Sequence, residues 1–160
     1  MYRVGFGFDA HRFSEDRQLV LGGLEIPFEL GLSGHSDADV LTHAICDALL
    51  GALGEGDIGT KFPDTDPRYK GASSLLFLSE ILKLVTAEGY EIGNIDSVIV
   101  CEKPKIAPHV QAIKDSLARI TGVPGNRIGI KATTTDLMGF TGRGEGIASY
   151  AVALIRNAPP

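Results

Sequence analysis

The sequence has little cysteine, no excess of positive charge and no long apolar run, and each shortage removes a class of protein. Cys46 and Cys101 are the two cysteines, far apart and without C-x-x-C spacing. This argues against a disulfide framework and for a reducing compartment. Lys and Arg total 15 against 20 Asp and Glu, a formal net charge of −5. The surface as a whole is therefore no nucleic-acid partner, and any phosphate must be bound by a local cluster of donors and metals. No stretch reaches the roughly 18 apolar residues of a spanning helix. The start, MYRVGFGFDAHRF, lacks the basic region and apolar run of a signal peptide. The expectation is a cytoplasmic protein without a membrane or nucleic-acid partner.

What is present is ordinary globular composition, with 44% hydrophobic and 22% charged residues over 160 positions. That length predicts one domain, residues 1–160. Residues 2–13 carry Val4, Phe6, Phe8 and Phe13 in loose alternation and predict a first strand. QLVLGGLEIPFE, residues 18–29, reads as a hairpin around Gly22-Gly23. Val40, Leu41, Ala44, Ile45, Ala48, Leu49, Ala52 and Leu53 recur at helical spacing, with Ser36 or Asp37 as N-cap and Gly54 as the stop. Residues 55–71 are rich in Gly, Pro and Asp and read as a long loop of the functional kind. A second helix is predicted from about Ser73 to Glu88 and a third from Pro108 to about Thr121. Strands are predicted at 95–101, 127–134 and 146–156. The fold class expected is α+β, an α/β sandwich: a mixed β-sheet with helices packed on one face, plus a short β-hairpin.

Three residues suit a metal. Asp9 and His11 stand two apart on the first strand, so their side chains leave the same face. On a helical projection of about 100° per residue the apolar arc excludes His43, which shares a polar face with Asp39 and Asp47. Either Asp could hold the second ring nitrogen. The plainer reading is a solvated face with a surface histidine. An Asp-His-His set with an open fourth position suits catalytic rather than structural zinc. His35, just before the helix in GHSDAD, is either a loop histidine or a phosphate donor at a helix N-terminus.

Phosphate chemistry has its own candidates. Asp57-Ile58-Gly59 and Phe62-Pro63-Asp64-Thr65-Asp66 mix turns and carboxylates, as either turn caps or a lid over a substrate. Lys131 to Asp136 places three threonines and a carboxylate at a strand end, fit for packing or for phosphate oxygens and a hard cation. Phe140-Thr141-Gly142-Arg143-Gly144-Glu145-Gly146 sets a guanidinium among glycines, and no long helix follows as a dinucleotide fingerprint requires.

The segments GFGFDAHRF, SGHSDADVLTHAICDALLGA, GDIGTKFPDTDP, KPKIAPH and KATTTDLMGFTGRGEGIA, in that order, resemble the 2-C-methyl-D-erythritol 2,4-cyclodiphosphate synthase family over essentially the whole chain. The resemblance implies zinc, or another divalent metal, on Asp9, His11 and His43. It implies Mg2+ or Mn2+ on Asp136, bridging two phosphates. His35 and Thr134 would stabilise the transition state. Ser36, Asp57, Ile58, Gly59 and residues Phe62, Pro63, Asp64, Thr65 and Asp66 would bind the methylerythritol phosphate part. Cys101, Pro104, Lys105, Ile106, Ala107, Ala132, Thr133, Thr134 and Thr135 would take the cytidine nucleotide, with Phe140 and Arg143 on its phosphate side. The family forms homotrimers with sites between subunits, and Phe8, Arg143 and Glu145 resemble residues beside a threefold cavity able to hold an isoprenoid diphosphate. The family usually carries Glu where this chain has Asp136.

The reaction implied is ring closure. The substrate's 2-phosphate attacks the β-phosphorus of its own diphosphate and CMP leaves, which makes the enzyme a lyase of the non-mevalonate isoprenoid pathway. Two rivals share the same residues: a zinc-dependent phosphohydrolase of nucleotide diphosphates, which would position a water, and a non-catalytic nucleotide-binding module.

Overall fold

The computed structural model describes residues 1–159, and Pro160 lies outside the described residues. Strand β1 spans Tyr2–Ser14, followed by β2 (Leu19–Leu21), β3 (Leu24–Ile26) and β4 (Gly31–Leu32). Helix α1 spans Val40–Leu53, α2 is the short Ile58–Lys61, and α3 is Ser74–Ala87. Then come β5 (Tyr90–Val100), α4 (Val110–Thr121), β6 (Ile128–Thr133), the short α5 (Gly139–Gly142) and β7 (Gly146–Asn157).

Five strands form one sheet in the order β4-β1-β7-β5-β6. All pairs are antiparallel except β5 with β6, so the sheet is mixed. Strands β2 and β3 form a separate hairpin, turning at Gly22 and Gly23 with φ of 61° and 74°. That left-handed backbone is one glycine adopts without strain. The α+β sandwich expected from the sequence is the architecture found.

Period-two burial orients the sheet. Ile95, Ser97 and Ile99 of β5 and Ile147, Ser149, Ala151, Ala153 and Ile155 of β7 point into a buried core against α1, α3 and α4. The opposite face carries Val4, Phe6 and Phe8 of β1 and Tyr150 and Val152 of β7, all exposed. On β1 the inward positions are Gly5 and Gly7, which allow α1 to lie directly on the strand. A Cβ at Gly5 would meet the Ala48 carbonyl at 1.8 Å and one at Gly7 the Ala44 carbonyl at 1.9 Å. This backbone-to-backbone approach brings α1 within reach of the next inward residues of β1, Asp9 and His11.

Three local expectations need correction. The α1 N-cap is Asp39, not Ser36 or Asp37. Its buried carboxylate accepts from Thr42 N (3.0 Å), Thr42 Oγ1 (2.7 Å), Gly22 N (2.9 Å) and Gly23 N (2.7 Å). A cap that also binds the hairpin turn satisfies more backbone donors than Ser36 or Asp37 could. Residues 55–71 are not wholly loop, since they contain α2 and a 3₁₀ turn at Pro67–Tyr69. Strand β5 begins at Tyr90, five residues before the predicted start, because a bulge at Gly93 carries pairing with β7 through a polar stretch.

Candidate metal and phosphate site

Asp9, His11 and His43 offer ligand atoms that all lie within 4.8 Å of one another. Asp9 Oδ2 stands 2.9 Å from His11 Nε2 and 3.0 Å from His43 Nδ1, and the two ring nitrogens are 3.2 Å apart. The His11 ring is oriented from behind: its Nδ1 is 2.7 Å from the Ser33 carbonyl, which can only accept. The proton of neutral His11 therefore sits on Nδ1, and the Nε2 lone pair faces the cluster. Such a convergence of acceptors repels itself unless positive charge lies among them, so the residues fit a divalent cation.

The electrostatics agree. Burial alone would raise the Asp9 carboxyl, but its bonds to His11 and His43 and their charge hold it well below the usual carboxylate range. Burial alone would lower His11, but the bond to Asp9 and its charge lift it above the ordinary imidazole value. Both directions follow from the pairing of the Asp9 carboxylate with the two rings.

The plainer reading of His43, a surface histidine on a solvated face, does not hold: it is buried where α1, β1 and α3 meet. Neither flanking Asp side chain bonds its ring. Asp39 is spent on the cap and hairpin, and Asp47 accepts from Ile58 N at 2.8 Å, tying α2 to α1. The second ring nitrogen meets Ser74 Oγ at 2.8 Å and Ser36 Oγ at 3.2 Å.

The three residues sit in a cavity of about 500 Å3 also lined by His35, Ser36, Ile58, Gly59, Phe62 and Asp64. Gly34, Tyr69 and Phe77 complete the wall and were not foreseen. Phe77 stacks on Phe62 at 4.8 Å between centroids, and Tyr69 meets both rings edge-on at 5.5 and 5.4 Å. This aromatic packing fastens the 58–69 segment over the metal cluster. Arg17 Nη1 donates to the Gly34 carbonyl at 2.6 Å, and Nη2 to that of Ser36, bracing the backbone on either side of His35. Asp57, Pro63, Thr65 and Asp66 do not line the cavity. Asp57 caps α2 through Thr60 N at 2.7 Å, and Asp66 holds Arg68 at 2.6 Å.

The nucleotide candidates gather in a second cavity of about 320 Å3, lined by Cys101, Pro104, Lys105, Ile106, Ala107, Ala132, Thr133 and Thr134 together with Glu102. Burial and the nearby Glu102 charge push the Cys101 thiol up to about 11, so it is a neutral wall atom and no nucleophile. Asp9, Ser149, Ile99 and Ala132 form one row across the sheet. Asp9 of the first cavity and Ala132 of the second thus stand at the same level of the sheet, about 14 Å apart over three strand spacings. They share no lining residue, and His35 and Thr134 fall in different ones.

Asp136 is exposed in left-handed backbone (φ 51°) and stands apart from the three-residue cluster. Glu102 Oε1, which was not foreseen, accepts from Thr135 N and Leu137 N, both at 3.2 Å, and holds that turn. Thr135 Oγ1 packs inward on Thr141 Oγ1 at 3.0 Å. Phe140 is exposed, and Arg143 pairs with Glu145 at 2.7 Å. Glu145 borders β1, its carbonyl accepting from Phe13 N at 2.9 Å.

A sequence profile described as the YgbB family matches residues 2–156. The chain belongs to that family. A 2-C-methyl-D-erythritol 2,4-cyclodiphosphate synthase from Syntrophotalea carbinolica is 54% identical over 99% of this chain and 96% of its own length. Among solved family structures, a 2C-methyl-D-erythritol-2,4-cyclodiphosphate synthase in a CDP-bound form superposes with a TM-score of 0.89 at 42% identity, covering 96% of this chain and 100% of that one. The bifunctional IspDF of Campylobacter jejuni superposes with a TM-score of 0.95 at 40% identity, covering 99% of this chain but 43% of that longer one. Among the described residues no helix is long and apolar enough to cross a membrane.

Proposed function

We infer that the chain is a cyclodiphosphate synthase, which converts 4-diphosphocytidyl-2-C-methyl-D-erythritol 2-phosphate to 2-C-methyl-D-erythritol 2,4-cyclodiphosphate and CMP. The observation that carries this is the convergence of Asp9, His11 and His43 within 4.8 Å in a cavity, in a chain 54% identical to a synthase along nearly its whole length. In the reaction an oxygen of the 2-phosphate forms a bond to the β-phosphorus. The bond from that phosphorus to the bridging oxygen breaks, and the bridging oxygen leaves as part of CMP. No water is consumed. The nucleophile is already ionised near neutral pH, so the protein need not supply a general base. What it must supply is positioning and charge stabilisation for two anionic groups that repel.

Asp9, His11 and His43 would hold zinc or another divalent cation, which supplies Lewis-acid stabilisation of phosphate oxygen charge. His35, braced on both sides by Arg17, would donate to the developing charge, and Thr134 would do so from the nucleotide side. Ser36, Ile58, Gly59, Phe62 and Asp64 would surround the methylerythritol phosphate, with Asp57, Pro63, Thr65 and Asp66 shaping the segment above it. Cys101, Pro104, Lys105, Ile106, Ala107, Ala132 and Thr133 would receive the cytidine, as expected of a chain similar to a CDP-bound synthase. Thr135, Phe140 and Arg143 would support its phosphates. Asp136 would hold Mg2+ or Mn2+ as a single carboxylate, with substrate oxygens and water as the other ligands.

The working unit is a homotrimer of single-domain chains. Val4, Phe6, Phe8, Tyr150 and Val152 make an uncovered apolar face that water does not favour. The separation of His35 from Thr134 within one chain fits a site completed by a neighbour. Phe8 faces outward on β1 and Arg143 pairs with Glu145 just before β7; together they would give the threefold axis an apolar surface and a charged group suited to an isoprenoid diphosphate. The compartment is cytoplasmic, with both cysteines unpaired.

Incubation of the purified protein with the cytidine-linked substrate and Mg2+, followed by phosphorus NMR, tests the reading. A cyclic diphosphate plus CMP, abolished by a strong chelator, is expected. Two open phosphates would assign the protein to hydrolysis instead.

A further inference from the structure

We propose that Ser74 and Asp37 form a hydrogen-bond chain that fixes His43 with its proton on Nε2 and its Nδ1 lone pair aimed at the metal position. This rests on the metal-binding part of the proposed function and not on the reaction. The argument follows the hydrogens. The Asp37 carboxylate only accepts. Its Oδ1 takes the Ser74 hydroxyl proton and the Asp39 N–H (3.1 Å), and its Oδ2 takes the Ser74 N–H at 2.9 Å. A serine hydroxyl has one hydrogen, and here it is spent on Asp37. Only lone pairs of Ser74 Oγ remain for His43 Nε2, 2.8 Å away, so that nitrogen must be the donor. Ser36 Oγ, at 3.2 Å from Nε2, already accepts from Ala38 N at 3.2 Å and serves as a second, weaker acceptor. Ser74 is fully buried, so bulk solvent does not compete for its hydroxyl.

The opposite nitrogen of the ring, Nδ1, is the one beside Asp9 Oδ2 and His11 Nε2. His43 is thus held from behind by a carboxylate acting through a hydroxyl, as His11 is held by the Ser33 carbonyl. Both rings present lone pairs to one point because both protons are anchored on the far side. Ser74 opens α3 and Asp37 precedes α1, so the chain also joins the helix carrying His43 to the helix carrying Phe77. Ser74 and Asp37 are positioning residues: neither lines the cavity.

The test needs no turnover. In the zinc-loaded, 15N-histidine-labelled protein, the His43 ring should show zinc on Nδ1 and a slowly exchanging proton on Nε2. Ser74→Ala should speed exchange of that proton and weaken zinc binding about 10–100-fold, measured by competition with a chromophoric chelator. Ser74→Thr, which keeps the hydroxyl, should recover most of the affinity. The proposal is overturned if His43 binds zinc through Nε2, or if Ser74→Ala binds zinc as tightly as the unaltered protein. Should the alanine variant lose its metal-free thermal transition, the ring assignment in the unaltered protein decides alone. Failure of that protein to bind zinc overturns this proposal and the metal site together. A zinc-loaded protein that passes these tests but makes no cyclic product fails the synthase reading only.

Discussion

Replacing Gly7 by alanine is the sharpest perturbation of the way the fold builds its metal cluster. The added Cβ would stand 1.9 Å from the Ala44 carbonyl oxygen and 2.7 Å from Ala48 N, both backbone atoms of α1. No rotamer change can relieve a clash with backbone. Close carbon–oxygen contacts need about 3.3 Å, so β1 and α1 must part by roughly 1.4 Å there. Asp9 follows two residues later on β1, and His43 directly precedes Ala44 on α1. The separation therefore opens the 3.0 Å approach of Asp9 Oδ2 to His43 Nδ1. Metal–ligand distances tolerate only about 0.2 Å of departure. Zinc affinity should fall by at least the roughly 10–100-fold that loss of a supporting contact costs, and the metal-free protein should lose about 1–3 kcal/mol to overpacking. Chelator competition and urea unfolding read the two effects separately. A Gly7→Ala protein that folds and binds zinc with unaltered affinity would refute the claim that strand–helix contact sets the ligand spacing.

Other consequences follow from single contacts. Asp39→Ala orphans four donors, the hairpin amides of Gly22 and Gly23 and both donors of Thr42; urea unfolding should show a loss of about 3 kcal/mol or more. Phe6→Asp places a charge on the exposed apolar face, and sedimentation should show single chains in place of the proposed trimer while the metal-free fold persists. Asp136→Glu should be tolerated and Asp136→Ala should lose most activity, and full turnover by the alanine variant with Mg2+ would remove the second cation from the account.

Much of the fold was legible because its signals are local. Alternation in residues 2–13 marked β1, and Gly54, a left-handed cap, marked where α1 ends. The four-residue helices α2 and α5 are too short to show a period, and β4 is a two-residue pairing imposed by β1. The sheet order, with β7 inserted between β1 and β5, comes from packing that no local pattern encodes.

The site divides in the same way. Asp9 and His11 share a face because strand residues alternate, and the sequence alone reveals that. The surroundings of His43 were misread because a helical projection counts only neighbours on its own helix. The residue that holds its ring, Ser74, arrives from another helix 31 positions away. In the sequence Ser74 is only one of two serines at a helix start. Tyr69 and Phe77 were missed for a related reason: an aromatic in a loop or on a helix has ordinary packing uses, and only the stack on Phe62 assigns these two to the cavity.

Turnover in water enriched in 18O, with mass analysis of both products, bears most directly on the idea that the substrate's own phosphate is the nucleophile. Neither CMP nor the cyclic diphosphate should carry the label. An 18O atom in a phosphate product would mean that water attacked, and the ring-closing account would be wrong.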